Sequence, residues 1–231
     1  MNPLAIGVSL VRDYAFVFAR WWEAVSTRHD PNEYASSGSK RPVLMLPGIY
    51  EDWRFMRPVA ARLAGAGHPV HLLPQLGYNR SRIAEAGRAA ADLLASRGLS
   101  DVVIVAHSKG GLIGKWVMVE SEERARITRM VAINTPFSGS RLARYAVRRE
   151  LREFSPRDAA LLRFSAITDV NARITSVYSS LDLVVPDGSF LAGAERNIRL
   201  PFAGHFRLLE DVRALAVVDE VVDDGERSRV S

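Results

Sequence analysis

Short runs of apolar residues recur along the chain, and the segments between them carry apolar residues at every third or fourth position. Short continuous apolar runs are typical of strands that are buried on both faces. The wider spacing is typical of helices with one buried face. The pattern predicts strands at residues 43–46, 70–73, 102–106, 127–133, 174–178 and 197–200, and helices at residues 53–66, 81–97, 109–120 and 206–218.

The predicted strands alternate with predicted helices over most of the chain. Successive strands joined by a helix form right-handed βαβ units, and such units build a parallel sheet with helices on both faces. A length of 231 residues suits one domain with a substantial core. We therefore expect an α/β fold with a mostly parallel sheet of about six core strands, spanning residues 41–222.

The segments outside this domain have a different composition. Residues 4–25 are rich in apolar and aromatic side chains, interrupted by Arg12, Asp13 and Arg20. Two interpretations stay open: a helix that packs on the domain or on a partner chain, and a helix that lies in a membrane interface. Residues 26–41 carry the Ser, Gly, Asn and Pro of a linker. We expect an N-terminal amphipathic helix and linker at residues 1–40 and a polar tail at residues 223–231.

The most informative motif follows the third predicted strand. Residues 106–111 read Ala-His-Ser-Lys-Gly-Gly. A strand followed by small-x-Ser-x-Gly and then a helix is typical of a sharp turn that presents a serine hydroxyl at the edge of a sheet. The first glycine of the usual motif is replaced here by Ala106. The pattern makes Ser108 the candidate nucleophile.

A serine nucleophile needs a base, and the base needs an acid that orients it. Among the five histidines, His205 alone follows Ser108, and it lies between the last predicted strand and the last helix. Asp182 follows the fifth predicted strand and so reaches the same edge of the sheet. We expect Ser108, Asp182 and His205 to act together, with Asp187 as the alternative acid.

The loop after the first strand is the second candidate element of this site. Gly48 allows a turn that would point the amide of Ile49 towards the serine, and the residue after the nucleophile, Lys109, would supply a second amide. The expected oxyanion hole therefore consists of the amides of Ile49 and Lys109. Aromatic residues near these loops are expected to wall the substrate pocket: Tyr50, Trp53 and Phe137.

The composition of the chain excludes some classes of chemistry and of binding partner. The chain has no cysteine, which excludes disulfides and thiolate chemistry. The net charge is +5, but the basic residues form no stripe interleaved with aromatics, so we expect no nucleic-acid partner. Arginines are frequent at residues 140–170, a short predicted cap that reads either as a solvated amphipathic helix or as a basic lid that meets an anionic lipid surface.

With these motifs in place, residues 41–220 resemble the α/β-hydrolase family, and within it the lipase-like esterases. The segments that carry the resemblance are residues 46–48, 106–111, 134–140, 180–186 and 204–205. The resemblance implies hydrolysis of a carboxylic ester through an acyl-enzyme on Ser108, without a metal or an organic cofactor. Pro47 and Phe137 stand where many members have histidine, which leaves the substrate open.

The N-terminal residues show neither a basic leader nor an uncharged stretch of about 20 residues, so we expect a cytoplasmic location, with membrane contact through residues 4–25 as an alternative to helix packing. The resemblance implies an ester or lipid substrate. It leaves the oligomeric state open. Two other functions remain: an acyltransferase or thioesterase that uses the same three residues, and a non-catalytic binding module with a hydrolase fold.

Overall fold

A computed structural model describes residues 3–26, 30–36 and 38–227. These residues form a six-stranded sheet in the order β2-β1-β3-β4-β5-β6. The strands are Val43–Leu46 (β1), Val70–His71 (β2), Val102–His107 (β3), Ile127–Ile133 (β4), Ile174–Leu181 (β5) and Arg196–Ala203 (β6). Every pairing between neighbouring strands is parallel.

Helices cover both faces of the sheet. They are Pro3–Ser26 (α1), Arg57–Gly65 (α2), Ile83–Ser96 (α3), Lys109–Glu120 (α4), Arg149–Arg152 (α5), Ala159–Ala166 (α6) and Val212–Arg227 (α7). Alternate strand residues face opposite layers: Val43 and Met45 pack with α1, α2 and α7, whereas Leu44 and Leu46 pack with α3 and α4. The predicted fold class, an α/β fold with a parallel sheet between two helical layers, is confirmed.

Several elements depart from their predicted bounds. Strands β5 and β6 each run three residues further than expected, and the helix predicted from residue 53 begins as the separate 3₁₀ helix Trp53–Met56. Strand β2 ends at His71, because the chain turns at Pro74 into the 3₁₀ helix Pro74–Leu76. The last helix starts at Val212 instead of residue 206, because Arg207–Glu210 form a separate 3₁₀ helix. Helix α7 also runs through the expected tail boundary at residue 223, and residues 228–231 lie outside the described part of the chain.

The side chain of Asp223 contributes to the extension of α7. It lies 3.1 Å from Nε2 of the buried His68 and 3.5 Å from Nζ of Lys40. These contacts join the C-terminal helix to the segments that lead into β1 and β2. The residues expected to form a polar tail therefore start with a helical, tethered segment.

Helix α1 packs on the sheet domain through one face. Phe16 and Val17 belong to the core. Asp13 is buried as well, with 2% of its surface exposed. The opposite face is apolar and open to solvent, with Leu4, Val11, Phe18 and Trp22 between 68% and 78% exposed. Within the described residues, no helix combines the length and the apolar character that crossing a membrane requires.

The expected linker is partly structured. Pro31–Tyr34 form a 3₁₀ helix that begins with Asp30 as its cap, and Tyr34 is buried in the core beside α2 and β2. Residues 27–29 and 37 of the expected linker lie outside the described residues. The segment between α1 and β1 therefore also contributes to packing.

The cap lies between β4 and β5, above the carboxyl edge of the sheet. It consists of the 3₁₀ helix Arg141–Tyr145 and the helices α5 and α6. Phe154 and Leu161 anchor it in the core, while Tyr145 and Val147 are 72% and 89% exposed. The cap thus presents apolar groups both to the core and to solvent.

Candidate active site

Ser108 occupies the sharp turn between β3 and α4. Its backbone lies at φ 51° and ψ −120°, a conformation that non-glycine residues rarely adopt. The amide of Ser108 donates to the carbonyl of Ile133 in the neighbouring strand at 2.8 Å, which helps to fix the turn. Gly110 is required by the crowding behind it, because a Cβ there would lie 2.0 Å from the carbonyl oxygen of Leu46. Local strain at a turn of this kind is typical of functional sites.

The side chains of Asp182 and His205 form a buried pair. His205 Nδ1 lies 2.6 Å from Asp182 Oδ2, and the amides of Val184 and Val185 donate to Asp182 Oδ1 at 2.8 and 2.9 Å. Burial alone raises the pKa of Asp182, but the attraction and hydrogen bond to His205 and the two amides outweigh it and lower the pKa. Asp182 is therefore a carboxylate in hydrogen-bond contact with the imidazole of His205.

The alternative acid, Asp187, has a different role. Its Oδ2 accepts from the amide of Arg141 at 2.6 Å, so it fixes the start of the cap. His205 pairs with Asp182, and Asp187 contacts the cap instead of the imidazole.

The main chain of His205 is also held in place. Its carbonyl oxygen accepts from Asn134 Nδ2 at 2.8 Å and lies 3.0 Å from His107 Nε2. Asn134 follows β4 at φ 48°, and its Oδ1 accepts from the amide of Ser179 in β5 at 2.9 Å. Asn134 thus connects two strands with the loop that carries His205.

His107 and Glu51 form a second buried pair, behind the serine turn. Both Glu51 oxygens lie within 2.9 Å of His107 Nδ1, and Oε2 also accepts from the amide of Gly48 at 2.7 Å. Each ring nitrogen of His107 faces an acceptor, so the doubly protonated ring fits the site. Burial lowers the pKa of His107, but Glu51, the His205 carbonyl and Asp182 reverse this effect and raise it overall.

The two residues expected to form the oxyanion hole, Ile49 and Lys109, lie in the loop after β1 and directly after Ser108. Lys109 is the first residue of α4, where an amide has no carbonyl partner within the helix. The residues flanking Ile49 are fixed, because the amide of Gly48 binds Glu51 and that of Tyr50 donates to the carbonyl of Tyr78 at 2.8 Å. Ile49 and Ser108 line the same cavities.

The side chain of Lys109 turns away from the serine. Its Nζ is buried and donates to the carbonyl oxygens of Asn79, at 3.0 Å, and of Ser81. Burial lowers the pKa of Lys109 to about 8, with nearby glutamates acting in the opposite direction. This side chain joins α4 to the loop after β2.

Two mostly apolar cavities meet at Ser108. One, of about 310 Å³, lies under the cap, and the other, of about 410 Å³, lies between α1 and the site. The first is lined by residues that include Pro136, Leu142, Phe154 and Val185. The second is lined by residues that include Tyr14, Phe18, Trp21, Tyr50, His205 and Phe206. Ser108 and His205 therefore face a common space.

Of the three aromatic residues expected to line the substrate pocket, one lines a cavity at Ser108 and two lie in the core. Tyr50 lines the cavity beside α1, and its hydroxyl donates to Glu150 Oε1 in the cap at 3.1 Å. Trp53 and Phe137 are 5% and 4% exposed and belong to the core on opposite sides of the sheet. They line neither of the two cavities at Ser108.

Sequence reasoning missed the residues that support the site. The sequence pattern assigns no role to His107, and it marks Asp13 only as an interruption of an apolar segment. An isolated acid in an otherwise apolar helix was the available signal for Asp13. Glu51 had no signal of its own, and Asn134 had only its place in the segment 134–140, since the contacts of both join distant parts of the chain.

Comparisons with known proteins identify the fold. No family model matches the chain, and no curated protein does. Solved structures of hydrolases do match: the chain is similar to Aspergillus fumigatus lipase B (17% identity, 84% of this chain and 57% of that one, TM-score 0.66). It is also similar to mature Bacillus licheniformis lipase BlEst2, at 14% identity over 84% of this chain and 96% of that one, with a TM-score of 0.62. An extracellular α/β-hydrolase from a Paenibacillus species matches as well, at 14% identity over 80% of this chain and 98% of that one, with a TM-score of 0.54. The chain has the α/β-hydrolase fold.

Proposed function

We propose that this protein is a serine hydrolase of carboxylic esters, with Ser108 as nucleophile, His205 as general base and Asp182 as the acid that orients it. The observation that carries the proposal is the 2.6 Å contact between His205 and Asp182, made by a histidine that lines the same cavity as Ser108. The strained serine turn supports the same assignment.

The first half of the reaction forms an acyl-enzyme. With Nδ1 bonded to Asp182, His205 uses Nε2 to take the proton from Ser108 as Oγ attacks the ester carbonyl carbon. The amides of Ile49 and Lys109 stabilise the negative oxygen of the tetrahedral intermediate. The intermediate collapses when the bond to the alcohol oxygen breaks, and His205 gives its proton to the leaving alcohol.

The second half repeats these steps with water. His205 takes a proton from a water molecule, the resulting hydroxide attacks the acyl carbon, and the bond to Ser108 Oγ breaks. The serine recovers its proton from His205, and the carboxylic acid leaves. These steps use only groups of the chain and water.

The lining of the two cavities supports an ester with apolar groups. Side chains such as Leu142, Phe154 and Val185 surround one cavity, and Phe18 and Trp21 border the other. Burying apolar groups in such cavities contributes about 25 cal/mol per Å². We infer a preference for acyl chains of more than a few carbons, which a series of nitrophenyl esters of increasing chain length would measure.

The serine assignment is tested with Ser108→Ala. We expect the variant to fold and to lose turnover of nitrophenyl esters and labelling by a fluorophosphonate probe. Turnover retained by the variant would contradict the assignment. A wild-type protein that is neither labelled nor active would favour the non-catalytic binding module instead.

The same three residues could transfer the acyl group to an acceptor other than water, or cleave a thioester. Product analysis distinguishes these reactions when alcohols, thiols and water compete for the acyl-enzyme. A free acid as the main product supports the hydrolase, whereas a new ester indicates an acyltransferase. Faster turnover of matched acyl thioesters would indicate a thioesterase.

We also infer that the open face of α1 contacts the surface of an anionic phospholipid membrane. The face is continuous with the cavity at Ser108, since Phe18 and Trp21 are exposed and also line that cavity. The two acids of α1 lie elsewhere: Asp13 is buried, and Glu23 pairs with arginines. The nearby cap adds exposed arginines that suit anionic headgroups: Arg141, Arg144 and Arg148.

Membrane contact is tested by co-sedimentation with vesicles of an anionic phospholipid. The double variant Val11→Glu and Trp22→Glu places charge on the open face, and we expect it to lose vesicle binding. The control Phe190→Glu alters a side chain that is 59% exposed beside the start of β6. A wild-type protein that stays in the supernatant would contradict the inference. If the wild type instead forms dimers in solution and the double variant does not, the open face of α1 binds a second copy of the chain.

A further inference from the structure

The turn that carries His205 is bonded to a residue of α1 that lies 192 positions earlier in the sequence. Asp13 Oδ2 accepts from the amide of His205 at 2.7 Å. Asp13 Oδ1 accepts from the amides of Phe206 and Arg207 at 2.9 and 2.8 Å. One buried carboxylate therefore satisfies three consecutive amides at the candidate general base.

The local sequence supplies no substitute for this carboxylate. The 3₁₀ helix Arg207–Glu210 starts two residues after His205, and the first amides of a helix have no partner within it. Phe206 stands at the cap position and offers no side-chain acceptor. Hydrogen bonds from amides to a carboxylate are shorter and stronger than those to neutral acceptors. Asp13 thus provides from another helix the cap that this turn lacks.

The chain around His205 is shaped to receive α1. Gly204 lies at φ +137°, and a Cβ there would lie 2.7 Å from Cγ and Oδ1 of Asp13. One turn earlier in α1, Ser9 Oγ donates to the carbonyl oxygen of Ala203 at 2.6 Å. The close approach of α1 to the end of β6 therefore depends on a glycine directly before the histidine.

Three sets of contacts together fix His205. Asp182 holds the ring, Asn134 and His107 bind the carbonyl oxygen, and Asp13 binds the amide. We propose that Asp13 is a positioning residue for the His205 base, so that α1 is a working part of the active site. The proposal rests on the catalytic role of His205 proposed above.

Loss of the Asp13 carboxylate would free the three amides and let the turn move. A displacement of about 1 Å in a catalytic group can cost roughly 10²-fold in rate. We expect Asp13→Ala to lower kcat roughly 10²-fold on a short, soluble nitrophenyl ester, with KM nearly unchanged. Asp13→Asn keeps one acceptor oxygen and should fall between Asp13→Ala and the wild type.

Ser9→Ala is the matched control, because it removes a hydrogen bond between α1 and β6 but leaves the turn at residues 205–207 intact. We expect its kcat to equal that of the wild type. A purely structural role for Asp13 predicts instead that kcat stays at the wild-type value in the folded fraction of each Asp13 variant. That result, measured with active sites counted by fluorophosphonate labelling, would overturn the proposal.

A second measurement covers the case in which Asp13→Ala does not fold. Amide hydrogen exchange of residues 205–207 in Asp13→Asn should speed up relative to the core strands, and the rate of fluorophosphonate labelling should fall in parallel with kcat. Unchanged exchange and labelling would overturn the proposal. A wild-type protein without activity or labelling would instead contradict the proposed function, which keeps the two failures distinguishable.

Discussion

The buried pair of Glu51 and His107 can be broken with a single substitution that hardly changes volume. Glu51→Gln removes the negative charge from a contact whose side chains are 2% and 0% exposed. Removing one partner of a buried ion pair leaves an uncompensated charge and costs about 3–5 kcal/mol. For a chain of this length the melting temperature should fall by roughly 10 °C.

The effect has a defined pH dependence. Because the folded state raises the pKa of His107, the pair stabilises the fold fully below the unfolded pKa of about 6.5. This contribution is lost as pH rises through the folded-state pKa. The free energy of unfolding of the wild type should therefore exceed that of Glu51→Gln by more at about pH 6 than at about pH 9.

Urea unfolding of both proteins at each pH measures this difference. Asp219→Asn is the control, because Asp219 pairs with Arg62 at the surface, where such a change costs about 1 kcal/mol or less. A cost for Glu51→Gln as small as that of the control would refute the reasoning. So would a stability difference that is equal at both pH values, because it would show that the His107 ring carries no pH-dependent charge.

Three further predictions concern other parts of the structure. Asp182→Asn should lower kcat about 10⁴-fold on a nitrophenyl ester without unfolding the protein, because His205 loses the carboxylate that selects its tautomer; a tenfold loss or less would contradict this role. Burial lowers the pKa of Lys115 from 10.5 to about 8. The unfolded chain thus binds more protons between these values, stability rises with pH there, and Lys115→Met should flatten that rise in urea titrations. Gly110→Ala should lower the melting temperature sharply because its Cβ meets a main-chain oxygen, whereas Gly65→Ala, with open space around it, should be neutral or stabilising by about 1 kcal/mol.

The hydrophobic pattern was sufficient for the sheet. Runs such as residues 102–106 are apolar on both faces, because a strand between two helical layers is buried on both sides. Strand β3 lies inside the sheet and is buried at every position. The pattern failed at the last helix. Residues 206–210 have helical spacing, but the amides of Phe206 and Arg207 bond to Asp13 and this segment forms a turn, so that α7 starts only at Val212.

The sequence by itself determined the parallel sheet and the serine turn, because both depend on local residue order. Ala106, Ser108 and Gly110 define that turn without reference to distant residues. It also indicated His205 and Asp182, since strands of one direction end at the same edge. Tertiary structure decided what supports them: Asp13, Glu51 and Asn134 act through contacts across 45 to 194 positions. Such contacts arise from packing of α1 and the loops on the sheet, which no local pattern encodes.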